Sequence, residues 1–190
     1  MKTAAVWIGL AAVLLGPLVV AATSPLLQWR GPAYVVAGFA GIAAMALMVL
    51  QPLAIRDRLP GLRPLTSRRL HRWTGAAITL GVLIHVAGLW ITSPPDVIDA
   101  LTFTSPTPFA PWGVVAMWAI LISALLAVLR LRGHLRWRRW RALHVPLALT
   151  AVTGTAVHAL LITGTMAVWT KWVLAAALLA ACLSLLRPRP

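Results

Sequence analysis

The sequence predicts an all-α integral membrane bundle of six spans, with N- and C-termini both cytoplasmic. Three observations carry that prediction: an apolar composition, six apolar runs of spanning length, and basic residues gathered on one side. Of 190 residues, 61% are hydrophobic and 11% charged, and the mean hydropathy is +0.88. A soluble domain carries about a quarter charged residues. So little polar sequence cannot cover a water-soluble core, and lipid is the solvent for most of the chain. One transmembrane domain, 1–190, is expected, because the sequence between the apolar runs leaves no room for a soluble catalytic domain.

The runs lie near 4–22, 33–53, 68–91, 112–131, 140–163 and 166–186. Crossing about 30 Å of hydrocarbon takes roughly 20 residues of helix. Helices are required because lipid cannot satisfy a free backbone amide, and the runs lack the alternation of a membrane barrel. The first run, with Lys2 ahead of it and small residues at Ala21 and Ala22, also has the form of a cleavable signal. Its length suffices to span, and its removal would leave five spans and every histidine considered below.

Charge sets the orientation. Seventeen basic residues face three acidic ones. Arg56, Arg58, Arg63, Arg68, Arg69 and Arg72 fall between the second and third spans, or at their ends. Arg130, Arg132, Arg136, Arg138, Arg139 and Arg141 fall between the fourth and fifth. Lys2, Arg187 and Arg189 join the same side when six spans are counted, whereas Arg30, Lys171, Asp96 and Asp99 lie on the other. Positive loops stay in the cytoplasm, which implies a multi-pass protein of the cell inner (plasma) membrane. The net charge of +14 then serves topology and anionic lipid headgroups, and nucleic-acid binding is excluded because the clusters are short and flank helices. Trp29, Trp90, Trp112, Trp169 and Trp172 fit an outer aromatic belt, and Trp73, Trp137 and Trp140 read as interface anchors rather than electron relays. In the outer loop 92–111, DVIDAL fits one short interfacial turn. The single cysteine, Cys182, excludes an intrachain disulfide and a cysteine-bound cluster.

The chemistry rests on four histidines. His71 and His85 are 14 residues apart in the third run, as are His144 and His158 in the fifth. Fourteen steps of 100° fall about 40° short of four turns, so each pair shares a face, and the rise of about 21 Å covers most of the hydrocarbon. Two such helices offer two imidazoles at each of two depths. A haem iron takes one imidazole on each side of a flat macrocycle. A zinc centre needs three or four ligands converging on one point. The arrangement therefore predicts two b-type haems, with His71 and His144 as the inner axial ligands and His85 and His158 as the outer ones. A lone membrane histidine often serves helix packing, but two matched pairs are hard to explain that way. His134, in a basic loop with no partner at matching spacing, reads as solvated, and Asp96 and Asp99 as solvated loop acids.

The surroundings repeat. Arg68-Arg69-Leu70-His71 and Arg141-Ala142-Leu143-His144 share an R-x-L-H pattern, with Gly81 and Gly154 each four residues before the second histidine. The whole pattern, R-x-L-H-x9-G-x3-H, recurs at an offset of 73. Gly81 and Gly154 are expected to clear space for a porphyrin, with Gly75 and Gly88 adding room. Arg68 and Arg141 are expected to pair with haem propionates.

Trp140-Arg-Ala-Leu-His144, followed by a second histidine in the same helix, resembles the ferric reductase-like transmembrane domain. That superfamily includes ferric-chelate reductases, NADPH oxidases and the haem subunit of the bacterial periplasmic methionine sulfoxide reductase. The resemblance covers about residues 33–186. It implies a six-helix bundle with haems between helices three and five, moving electrons outward from a cytoplasmic flavin reduced by NAD(P)H or a flavin reductase. Many members space the fifth-helix histidines by 13, where this chain has 14. Sulfoxide-reductase subunits often lack an inner histidine that is present here, which favours a two-haem reductase. The flavin and nicotinamide domains fused to many members are missing, which implies a stand-alone subunit served by a cytoplasmic flavoprotein reductase. The expected role is electron transfer, as the haem-bearing component of an oxidoreductase, to an outer-side acceptor. Two alternatives stay open: a quinol-linked cytochrome b or haem subunit of a periplasmic reductase, and a non-redox membrane transporter or scaffold. The second predicts acids at membrane depth, and there are none.

Overall fold

Pro64 sets where the first histidine helix starts. Proline is favoured in the first helical turn, because its missing N–H would have no partner there. The computed structural model, which describes residues 2–186, accordingly begins the long helix α4 at Pro64. The chain runs α1 (Lys2–Ala22), α2 (Pro32–Met48), α3 (Leu50–Ile55), α4 (Pro64–Thr92), α5 (Pro94–Leu101), α6 (Ala110–Leu131), α7 (Trp137–Leu161) and α8 (Val168–Leu183), with 3-10 turns at Pro25–Leu27 and Ser184–Leu186. Six stretches are long and apolar enough to cross a membrane: Thr3–Ala22, Pro32–Ile55, Pro64–Thr92, Ala110–Leu131, Trp137–Leu161 and Val168–Leu186. They match the six expected runs. Arg187 and Arg189, counted among the inner bases, lie outside the described residues.

The third and fifth spans begin earlier than expected, at Pro64 and Trp137 rather than 68 and 140. A hydropathy pattern stops at the arginines, but the helix does not. At 29 residues, α4 is about 43 Å long, longer than the hydrocarbon, so the turns that carry Arg68, Arg69 and Arg72 can stand in the headgroups. His71 and His144 thus each occupy the eighth position of their helix, and His85 and His158 the twenty-second. The DVIDAL turn is the core of α5, two turns long, with prolines at its start and Asp96 in its first turn, where the helix dipole favours an acid. Asp99 accepts a hydrogen bond from Thr104 Oγ1 at 3.2 Å.

The helices divide into two packing units, one formed by residues up to Thr92 together with those from Thr163 on, the other by Ser93–Ile162. In the first, α2 lies along α4, and α8 packs on α1 and α3. The α2–α4 seam is made of small residues. A Cβ at Gly88 would meet the Ala33 carbonyl and the Ala37 Cβ, each at 2.8 Å, and one at Gly81 would meet the Ala40 carbonyl at 3.2 Å and Ala44 Cβ at 3.3 Å. Without a hydrophobic force between helices in lipid, this close approach supplies the attraction. Leu174 and Leu178 of α8 are fully buried. Two further ties fix the ends: Trp7 Nε1 donates to the Pro60 carbonyl at 3.1 Å, and the Arg56 guanidinium donates to the Leu185 carbonyl.

In the second unit α6 lies along α7. Gly154 repeats the seam: its Cβ would meet Ala116 Cβ and the Trp112 carbonyl, each at 3.0 Å. Helix α6 ends at Leu131 with Arg132 as its cap, and Gly133 after it takes φ 78°, the left-handed turn that closes a helix. Pro146 sits inside α7, two residues beyond His144, and removes the N–H that would bind the Ala142 carbonyl.

Candidate functional site

Within each packing unit, a supporting helix holds the ring of a histidine. In the first unit His85 Nδ1 lies 2.7 Å from the Ala37 carbonyl of α2. In the second, His158 Nδ1 lies 2.9 Å from the Phe109 carbonyl at the start of α6, and the Phe109 ring meets the imidazole edge-on at 5.6 Å and 75°. A carbonyl oxygen only accepts, so each Nδ1 carries the proton and donates. In a neutral imidazole that leaves the lone pair on Nε2.

Each ring lies over a glycine of the supporting helix. A Cβ at Gly41 would come 2.9 Å from His85 Nδ1, and one at Gly113 would come 2.6 Å from His158 Nδ1. Only glycine allows the ring to sit there with its hydrogen bond intact. The sequence reading missed Gly41 and Gly113. Their signal was a second repeat, Gly41-Ile-Ala-Ala-Met45 and Gly113-Val-Val-Ala-Met117, at an offset of 72. The acceptors Ala37 and Phe109, and the seam residues Ala44 and Ala116, keep the same offset.

Gly81 and Gly154, marked from sequence as clearance for a porphyrin, have the space of a side chain taken by α2 and α6 respectively. They bring the supporting helix close enough for its carbonyl to reach the histidine one turn on. Gly88 packs in the same way, and Gly75 faces the side chain of Gln51, whose Oε1 lies 3.8 Å from where a Cβ would be.

His71 is held from α3. Its Nδ1 lies 3.3 Å from the Gln51 carbonyl, while Gln51 Nε2 donates to the His71 carbonyl at 3.2 Å and to Thr74 Oγ1 at 2.5 Å. Thr74 Oγ1 in turn donates to the Leu70 carbonyl at 2.7 Å. Gln51 was also missed. Its signal was an amide inside an apolar run, a polar group that membranes retain for a purpose. His144 stacks face to face on Trp140, with ring centroids 4.7 Å apart and planes 14° from parallel. Arg68 and Arg141 are exposed on the turn before His71 and His144, and His134 is exposed in its loop. Among the described residues no three His, Cys, Asp or Glu side chains gather at one point.

The family described as ferric reductase like transmembrane component matches residues 37–155. The chain belongs to that family. The match starts at the residue that accepts the His85 hydrogen bond, contains His71, His85 and His144, and ends three residues before His158. No curated protein and no solved structure matches the chain. Membership carries a general function, electron transfer through the membrane, and domains of this kind generally bind haem. The donor set fits that group. Axial ligation needs a neutral imidazole with one nitrogen's lone pair presented and the other nitrogen's proton tied to a carbonyl. His85 and His158 have the carbonyl-tied Nδ1 that this requires, and His71 has a longer version of it.

Proposed function

We propose that the chain is a di-haem b cytochrome, the haem-bearing membrane component of an oxidoreductase. It takes electrons from a cytoplasmic flavin, reduced by an NAD(P)H-dependent flavoprotein, and delivers them to an acceptor on the outer side. His71 and His144 are the inner axial pair, and His85 and His158 the outer pair. The observation that best supports this is the shared device at His85 and His158: a ring over a glycine, with Nδ1–H on a carbonyl of the supporting helix. A purely structural histidine has no need to be built twice in that form.

Bound haem would supply the one-electron couple, and the protein supplies the rest. The carbonyls of Ala37, Phe109 and Gln51 fix which nitrogen each imidazole presents and raise its basicity as a ligand. With both axial positions taken by imidazole, the site suits electron transfer rather than oxygen binding. Arg68 and Arg141 carry guanidinium groups on the turn before the inner pair, where carboxylates such as propionates would be bound and the local potential made more positive. The basic segments Arg56–Arg72 and Arg130–Arg141 would draw an acidic flavoprotein, and by the positive-inside rule they support cytoplasmic termini in an inner-membrane protein.

Membranes containing the protein test the donor. With NADH, a soluble flavin reductase and free flavin, the haem α-band is expected to grow to the level reached with dithionite. Full reduction by a quinol, with none through flavin, would contradict the donor assignment and make the chain a quinol-linked cytochrome.

A further inference from the structure

Trp137, Trp140 and His144 form a continuous column of rings along the first two turns of α7. The indoles of Trp137 and Trp140 stack at 5.0 Å with planes 25° apart, and Trp140 lies on the His144 imidazole at 4.7 Å and 14°. Arg130, from the last turn of α6, closes the column. Its guanidinium carbon lies 4.2 Å from the Trp137 ring centre and 4.6 Å from that of Trp140. Positions 137, 140 and 144 are i, i+3 and i+7, successive steps of three and four that put side chains over one another on a helix.

A tryptophan that anchors a helix at the membrane surface keeps its N–H in water or among headgroups. Trp140 does the opposite. Its Nε1 is buried with no hydrogen-bond partner, so what the position uses is the ring face. The column is also where the two halves of the chain stop resembling each other. Across the 73-residue offset, Pro64 stands for Trp137, Ser67 for Trp140 and Asp57 for Arg130. A requirement of helix packing alone would be expected in both halves.

We propose that Trp140, backed by Trp137 and clamped by Arg130, is a positioning residue for His144: it fixes the plane of that imidazole, and through it the electronic state of one haem of the pair. This rests on the ligand assignment above. An imidazole's rotation about its bond to iron changes its overlap with the metal orbitals, so a fixed plane tunes the reduction potential and the low-spin ferric spectrum.

Two variants separate a ring effect from a packing effect: Trp140→Leu keeps apolar bulk and removes the face, whereas Trp140→Phe keeps a face. In detergent-purified holoprotein, Trp140→Leu is expected to change the reduction equilibrium constant of one haem by about threefold to tenfold, which is about 30–60 mV for a one-electron couple. The ferric EPR g-values of that haem should move, the other haem should stay unchanged, and haem content should hold. Trp140→Phe should restore most of the shift. If Trp140→Leu leaves both haems as they were, or shifts both alike, the proposal is overturned. A readout without haem keeps its failure distinct from failure of the ligand assignment. In haem-free protein with labelled histidine, the face of the Trp140 indole should hold the His144 ring protons upfield, and Trp140→Leu should release them and move no other histidine. Absence of that upfield shift would overturn the proposal even if the protein binds haem as assigned.

Discussion

His85→Ala and His158→Ala are each expected to halve the haem content of the purified protein and leave the other haem spectrally intact. His85 and His158, proposed as the outer pair, each stand at the twenty-second residue of a membrane-spanning helix, and His71 and His144, proposed as the inner pair, at the eighth, about 21 Å along the helix axis. Loss of one axial imidazole opens a coordination position and removes about half the protein's grip on that iron. His71 and His144 stand about four turns away along the same helices and keep their own supports: Gln51 and Thr74 for His71, the indole of Trp140 for His144. The two substitutions should therefore give the same spectrum, and the double variant should lose no more than either alone. If His85→Ala and His158→Ala removed different haems, the pairing would be wrong even if both were ligands. If neither removed any, neither would be a ligand.

The second large effect is expected from residues that carry no side chain. A Cβ at Gly113 would sit 2.6 Å from His158 Nδ1 and 2.8 Å from its Cε1, and a Cβ at Gly41 would sit 2.9 Å from His85 Nδ1. No methyl fits at those distances, so the ring must swing away and release the Phe109 or Ala37 carbonyl. Gly113→Ala and Gly41→Ala should thus each lose the same haem as His158→Ala. Alanine in place of glycine inside a helix favours the helix by up to about 1 kcal/mol, so unfolding does not explain such a loss. Gly38→Ala, three residues from Gly41 in the same helix and facing open space, should keep both haems. Haem quantification with circular dichroism on each variant checks this. Full haem content in Gly113→Ala and Gly41→Ala would mean that the ring positions seen over these glycines play no part in ligation.

The four histidines were legible because their chemistry and spacing stand out in apolar sequence: two pairs 14 apart, 73 residues between pairs. The six spans were legible for the same reason, to within a few residues. The helix starts were not. A hydropathy pattern ends at Arg68 and Arg141, whereas a helix continues through arginine as readily as through leucine. The supporting helices were harder still. Their repeat runs at 72 rather than 73, Gly41 sits in a run of alanine and glycine where any one small residue looks like the next, and Gly113 follows Pro111 and Trp112 at the start of an apolar helix. What singles them out is the ring lying over them, a tertiary fact. Gly81 and Gly154 were marked correctly as unusual, yet the space beside them belongs to a neighbouring helix. Trp137 and Trp140 were read as anchors because tryptophan near a membrane surface usually is one. Only the buried, unbonded Nε1 of Trp140 and the near-parallel His144 ring distinguish the column.

Four histidines that hold two haems give a countable product: the haem content of the purified protein. Detergent-purified chain should carry about two b-type haems per polypeptide, with a sharp α-band on reduction and low-spin ferric signals from bis-imidazole iron. Protein that folds into its six helices, is supplied with haem during expression, and still purifies colourless would show that these histidines are not haem ligands.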